Sequence, residues 1–132
     1  MNELVIDAKL ENMAAVLDFV CERIEACPLK IQIKIRIAVD EIFSNIARYA
    51  YHPSSGSVAI RIAVDDYITI EFEDRGRPYN PLAADDPDIT LSAEERDIGG
   101  LGIFIVKKIM ESVEYRREGE KNILTIKKKL GE

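Results

Sequence analysis

The sequence lacks several features that mark common protein classes. No apolar run approaches the roughly 20 residues that cross a bilayer, and the acidic start Met1-Asn2-Glu3 has neither the basic nor the apolar region of a signal peptide. Basic residues are in the minority, with 18 Lys and Arg against 24 Asp and Glu. The net charge of -6 disfavours binding to nucleic acid or to an anionic membrane. These absences predict a cytoplasmic protein with no membrane partner and no direct nucleic-acid partner.

Side chains for redox chemistry or for soft metals are equally scarce. The chain has one histidine, His52, and two cysteines, with no CxxC spacing. Cys21 and Cys27 fall in one predicted helix, and their six-residue separation corresponds to about 9 Å along its axis, which is too far for a disulfide. We therefore expect two buried free thiols without a redox or metal role.

What the sequence does contain is typical of a globular domain. Its 132 residues are 47% hydrophobic and 32% charged, which is enough apolar material for one core. We find no internal repeat and no low-complexity tract. The sequence therefore predicts a single domain over residues 1–132.

The first half of the chain reads as a strand followed by two helices. Leu4 and Ile6 begin a short strand, and an apolar stripe then predicts a helix from Leu10 to Cys27. The next segment is ambiguous, because four isoleucines alternate with polar residues at positions 31 to 37 as they would in a strand. A helical stripe nevertheless continues for eighteen positions there, so it favours one long buried helix from Leu29 to Tyr51.

The second half reads as two hairpins separated by a long loop and a helix. Alternating apolar residues predict strands at 58–64 and 68–72, then at 113–117 and 122–130, with a helix from Gly102 to Glu111. The segment 75–98 has no sustained period, and so long a loop is usually functional. Because four of the five strands are hairpin-linked, we predict an α+β fold: a two-layer α/β sandwich whose mixed, mainly antiparallel five-stranded sheet carries three helices on one face.

The long helix carries a pair of polar residues at helical spacing. Glu41 and Asn45 are four positions apart and project from the same side. The carboxylate of Glu41 suits a general base, and the amide oxygen of Asn45 suits Mg²⁺, which takes few protein ligands and completes its shell with phosphate oxygens and water. Taken alone, such a pair more often belongs to a solvated helix face.

A second group of candidate residues follows the predicted central hairpin. Asp74 ends a buried strand at the surface, where its carboxylate can accept a hydrogen bond from a purine amino group. Gly76 lacks the side chain that would block a close ligand, and Pro78 follows it. The same residues also fit a simple acidic turn, and the two interpretations are equally compatible with this segment alone.

A glycine cluster precedes the last helix. Gly99, Gly100, Leu101 and Gly102 offer unhindered backbone amides and the positive end of a helix dipole to a phosphate. Arg96, just before them, is a candidate contact for the outermost phosphate. The alternatives are a flexible hinge for the glycines and simple solvent exposure for the arginine. The cluster is not a Walker motif, because the Gly-Lys-Ser/Thr ending is absent.

In this order the three groups resemble the motifs of Bergerat-fold ATPases. Glu41 with Asn45 is similar to the N box of that superfamily, Asp74-x-Gly76-x-Pro78 to its next ATP-binding box, and residues 99–102 to its glycine box. Within the superfamily, the short length and the ending Gly-Gly-Leu-Gly-Ile-Phe-Ile-Val most resemble bacterial anti-sigma-factor serine kinases. The resemblance extends over nearly the whole chain.

The resemblance implies specific roles. It implies that Asn45 binds Mg²⁺, that Asp74 binds the adenine of ATP, and that Glu41 deprotonates a serine on an anti-anti-sigma-factor partner. It also implies that the protein sequesters a sigma factor or a related regulator in a partner-switching system, and that it forms a homodimer.

Two other functions compete with the protein-serine-kinase hypothesis. One is a binding module that uses ATP only to set its partner affinity, without phosphorylating anything. The other is the ATPase domain of a histidine kinase, which we expect less because no dimerisation helix with a phosphorylatable histidine precedes Leu4. Transfer of labelled phosphate to a partner distinguishes the first alternative from the kinase.

Overall fold

A computed structural model describes residues 1–83 and 101–131 of the chain. In chain order these residues form β1 (Asn2–Asp7), a 3-10 turn (Leu10–Asn12), α1 (Met13–Arg23), α2 (Leu29–Asn45), a π-helical segment (Ile46–Ala50), β2 (Ser57–Val64), β3 (Tyr67–Asp74), α3 (Leu101–Ile109), β4 (Ser112–Glu118) and β5 (Lys121–Lys129). Within these ranges no helix is both long and apolar enough to cross a membrane. The predicted α+β fold is confirmed, whereas the single domain over residues 1–132 stays a prediction.

The sheet has five strands in the order β1-β2-β3-β5-β4. All four pairings between the described strands are antiparallel. The central pairing joins β3 to β5, which are not consecutive in the chain, and its register puts Asp74 opposite Asn122. The end of β3 therefore meets the beginning of β5 at one end of the sheet.

The two faces of the sheet differ sharply in chemistry. Alternate residues of β2 and β3 are fully or almost fully buried against the helices, and these are Val58, Ile60, Ile62, Ile68, Ile70 and Phe72. The residues between them face outward, where Arg61 pairs with Glu3 at 2.7 Å and with Glu73 at 3.2 Å. Period-2 alternation thus gives one apolar face and one face of charged pairs.

The predicted long helix is present but changes its winding near its end. It is α-helical from Leu29 to Asn45 and continues as the π-helical segment (Ile46–Ala50). The strand-like alternation of isoleucines is accidental, because Ile35 is fully buried while Ile33 and Ile37 remain exposed. Single π-helical turns occur often at functional sites, and this one borders the cavity described below.

The first helix is shorter than predicted. It ends at Arg23, so Cys27 lies beyond it and the expectation of both cysteines in one helix is wrong. The amide of Gln32 donates hydrogen bonds to the carbonyls of Cys27 at 2.7 Å and of Glu25 at 3.3 Å, which satisfies the backbone of the connecting turn. Both cysteines are unbridged and only half-buried, and burial raises the pKa of the Cys27 thiol.

Candidate functional site

A cavity of about 780 Å³ opens between the helices and the end of the sheet where β3 and β5 meet. Its lining comes from the C-terminal half of α2, the π-helical segment, His52, the loop after β3, the first turns of α3, and strands β3, β4 and β5. Its volume falls within the range of about 300 to 1,000 Å³ that is usual for small-molecule sites. The cavity is therefore large enough for a nucleotide.

The middle of the cavity offers an apolar slot. Ile42, Ile46, Ile103 and Leu124 contribute to its walls. These side chains come from α2, the π-helical segment, α3 and β5, so the slot forms only when the helical layer packs on the sheet. A flat aromatic ring suits such a slot, because most of its surface is apolar and gains from removal from water.

Asp74 lies at the sheet end of this slot. It is only 6% exposed, so the expectation of a surface strand end is wrong. Its Oδ1 accepts hydrogen bonds from the backbone N–H of Gly76 and from the side-chain amide of Asn122, both at 2.9 Å. Its Oδ2 accepts none from the described residues, although Asp74 lines the cavity. The site thus holds one carboxylate oxygen in the fold and leaves the other for a ligand donor.

Asn122 is a site residue that sequence reasoning missed. Its amide donates to Asp74 and, at 2.9 Å, to the carbonyl of Arg77. Its Oδ1 in turn accepts from the Tyr115 hydroxyl at 2.6 Å and from Arg117 at 3.1 Å. The available signal was a polar residue at the first position of the otherwise apolar start of the predicted strand 122–130. This network fixes the orientation of the Asp74 carboxylate.

Gly76 lies beside the cavity and is not among the residues that line it. A Cβ at Gly76 would overlap the carbonyl oxygen of Ala50 and lie 2.7 Å from its carbonyl carbon. The backbone N–H of Arg77 donates to that same carbonyl at 3.0 Å. The glycine therefore permits close packing of the loop on the π-helical segment, and this packing brings Pro78 to the cavity.

Glu41 and Asn45 line the helical end of the cavity, where α2 packs against α3. The carboxylate of Glu41 lies against Gly102 in the first turn of α3, since a Cβ built there would overlap Oε2 and lie 3.0 Å from Cδ. Neither Glu41 nor Asn45 makes a side-chain hydrogen bond with another described residue. Both polar groups are therefore available to a ligand. Because Gly102 has no side chain, the Glu41 carboxylate has room to lie against α3.

The predicted glycine box is described only in part. Leu101 begins α3, and Gly102 lines the cavity, so the N-terminal end of this helix faces the same space as Glu41. The positive end of a helix dipole attracts anions. Arg96, Gly99 and Gly100 lie outside the described residues. Five predicted site residues line one cavity, namely Glu41, Asn45, Asp74, Pro78 and Gly102.

The donor set at this end fits magnesium better than a softer metal. Among residues 1–83 and 101–131, no group of three or more His, Cys, Asp and Glu side chains could hold a metal ion by itself. Asn45 contributes one uncommitted amide oxygen. Mg²⁺ suits a single protein oxygen because it keeps several waters and takes phosphate oxygens from its substrate.

Comparison with known proteins shows the family of this chain and two proteins that it resembles. The chain is 24% identical over 100 residues to the serine/threonine-protein kinase BtrW of Bordetella bronchiseptica. The matched region covers 74% of this chain and 70% of that protein. It is 18% identical to the histidine kinase AdeS of Acinetobacter baumannii, with a TM-score of 0.49 over 100% of this chain and 69% of that chain. The histidine kinase-like ATPase domain family matches residues 6–128. The chain therefore belongs to the histidine kinase-like ATPase domain family, and it is an ATP-binding domain of that type.

Proposed function

We propose that this chain is an ATP-dependent protein serine/threonine kinase that phosphorylates an anti-anti-sigma-factor partner. In the same proposal it holds a sigma factor or a related regulator, and phosphorylation of the partner decides which protein is held. Such a partner-switching role implies a cytoplasmic protein. The homodimer expected from the resemblance belongs to this proposal as well.

One observation carries the catalytic part of the proposal. The Glu41 carboxylate lies against the first turn of α3, one helical turn from Asn45, at the helical end of the cavity that Asp74 also lines. If Asp74 holds the adenine, the phosphates extend toward Asn45 and the N-terminus of α3. A carboxylate at that end is well positioned to orient and deprotonate an incoming hydroxyl. The similarity to a serine/threonine-protein kinase supports the same interpretation.

The transfer step then needs little from the protein besides position and charge. Glu41 takes the proton of the partner's serine or threonine hydroxyl, and the hydroxyl oxygen forms a bond to the γ-phosphorus. The bond between that phosphorus and the oxygen bridging to the β-phosphate breaks, and ADP leaves with the electron pair. Phosphoryl transfer is accelerated mainly by such positioning and by neutralisation of the phosphate charge.

Magnesium fits this site through Asn45. Its amide oxygen would hold the ion together with phosphate oxygens and water. When bound, the ion supplies neutralisation of the phosphate charge. The helix dipole of α3 acts in the same direction on any anion at its N-terminus.

The Glu41→Gln substitution tests the proposal. Gln has nearly the same shape but cannot accept the proton at neutral pH. We expect phosphate transfer from labelled ATP to an anti-anti-sigma-factor domain of the same genome to fall about 100-fold or more, since general-base catalysis contributes about 10² to 10⁴. ATP affinity measured by calorimetry should change little, because Asp74 and the apolar slot remain.

Glu114→Gln is the matched control. Glu114 is exposed on the outer face of β4, away from the cavity, so this variant should transfer phosphate like the wild type. Equal transfer by Glu41→Gln and the wild type would remove Glu41 from the mechanism. Tight ATP binding by the wild type without transfer to the domain would favour the alternative of a non-catalytic, ATP-dependent binding module.

A further inference from the structure

An apolar row lies exposed along α2. Leu29, Ile33 and Ile37 are 69%, 51% and 42% exposed, and each follows the previous one by four residues. This spacing aligns them on one ridge of the helix, about 12 Å long by the standard rise per residue. Isolated exposed apolar residues are ordinary, but three in one row on a helix form a surface that another helix can pack against.

Basic residues flank the row on both sides. Lys30 and Lys34 follow Leu29 and Ile33 around one side of the helix, and Arg36 precedes Ile37 on the other. None of these cations forms an ion pair with another described residue. The patch is therefore cationic on a chain whose net charge is -6. Its complement is an apolar segment bordered by acidic residues.

The row leads to the proposed catalytic carboxylate. A second, smaller cavity of about 300 Å³ is lined by Arg36, Ile37, Asp40 and Glu41. Glu41 also lines the nucleotide cavity, so it is common to the two spaces. A group that enters the smaller cavity from the α2 surface therefore meets this carboxylate at the border of the nucleotide cavity.

We propose that the row Leu29, Ile33 and Ile37 is the docking surface for the kinase substrate. The occupant is an amphipathic helix of the partner protein, with apolar residues facing the row and acidic residues facing Lys30, Lys34 and Arg36. The acceptor hydroxyl, at the end of that helix, enters the smaller cavity and reaches Glu41. This inference rests on the proposed kinase function and adds to it the chemistry of the surface that selects the substrate.

Ile33→Asp tests the surface directly. The substitution puts a negative charge next to the acidic residues of the partner helix. It also removes the central apolar contact of the row. With an anti-anti-sigma-factor domain of the same genome as substrate, we expect KM for the domain to rise about tenfold or more, while Kd for ATP is unchanged. Lys34→Glu should raise KM in the same direction, and more strongly at low salt, because screening weakens charge pairs. It also serves as the second variant should Ile33→Asp fail to fold.

Val5→Asp is the matched control, because Val5 is 61% exposed but lies on the outer face of β1. It should leave KM unchanged. An unchanged KM in Ile33→Asp and Lys34→Glu, with active wild type, would overturn the docking surface and leave the kinase proposal intact. A different result would support the surface and refute the kinase: calorimetry shows that the wild type binds the domain and that Ile33→Asp does not, but the wild type transfers no phosphate to it. A wild type that neither binds nor phosphorylates the domain would count against both.

Sedimentation velocity separates the substrate surface from a contact between two copies of this chain. We expect Ile33→Asp to sediment like the wild type. A wild-type dimer that Ile33→Asp converts to a monomer, with KM unchanged, would assign the row to self-association and overturn the proposal.

Discussion

Asp74→Asn separates the structural role of this residue from its proposed role in adenine binding. In the folded protein Oδ1 accepts hydrogen bonds from Gly76 and Asn122, whereas Oδ2 is free of described partners. In the asparagine variant, the side-chain carbonyl oxygen can accept the same two hydrogen bonds as Oδ1. The amino group then replaces Oδ2 and presents a donor where the carboxylate presented an acceptor.

The size of the effect follows from that exchange. A hydrogen bond to a charged acceptor contributes about 1.5 to 3 kcal/mol, and each 1.4 kcal/mol is about a tenfold change in affinity. We therefore expect Kd for ATP to rise about 10- to 150-fold. The free energy of unfolding should change by less than about 1 kcal/mol, because both internal hydrogen bonds have an acceptor in the variant.

Calorimetry with two nucleotides measures the exchange. ITP carries a carbonyl oxygen where ATP carries the amino group, so it should bind the wild type weakly and gain affinity in Asp74→Asn. Asp66→Asn, in the exposed turn between β2 and β3, is the control and should bind ATP like the wild type. The reasoning is refuted if Asp74→Asn binds ATP as tightly as the wild type, or if it loses ATP and ITP affinity equally.

Two further predictions concern stability. Gly76→Ala should lower the free energy of unfolding in urea by about 1 to 3 kcal/mol, because its Cβ would overlap backbone atoms of Ala50. Gly131→Ala is the control and should be neutral, because nothing lies near its Cβ. Equal stability of the two variants would contradict this packing. Glu111→Gln should lower the melting temperature slightly at pH 7 and by less at pH 3. Hydrogen bonds from Lys128 and from the Lys129 backbone lower the Glu111 pKa below 4.5, so the stabilisation is present above that pH and is lost as the pH falls through the folded pKa; a difference as large at pH 3 would exclude this origin.

Apolar periodicity predicted the order and type of every described α-helix and strand, because each buries one face. The segment 31–37 shows how: length and the continuing stripe outweighed its strand-like alternation, and Ile35 is indeed buried in α2. The helix ends were less predictable. The turn after α1 is hydrogen-bonded by Gln32, a residue of the next helix, and the π-helical segment has no marker in the local pattern. Such features depend on contacts between elements.

The candidate site was predictable where a motif contains the lining residue and less so where residues support one another. Glu41, Asn45 and Asp74 line one cavity as their motifs indicate. Asn122 was missed because its role depends on the β3–β5 register, which periodicity does not specify. Gly76 was predicted to leave room for a ligand. In the structure, the neighbour that excludes a side chain at Gly76 is the backbone of Ala50.

The contacts around Gly76 connect the two ends of the cavity. The Tyr51 hydroxyl accepts a hydrogen bond from the backbone of Arg75 at 2.7 Å and donates one to the carbonyl of Ser57 at 2.6 Å. The loop after Asp74 is therefore tied to the end of the same helix that carries Asn45. Displacement of this loop in Gly76→Ala should move Asp74 relative to Asn45, so this variant should bind ATP more weakly although Gly76 does not line the cavity. Calorimetry that finds wild-type affinity in a destabilised Gly76→Ala would show that the two ends are positioned independently.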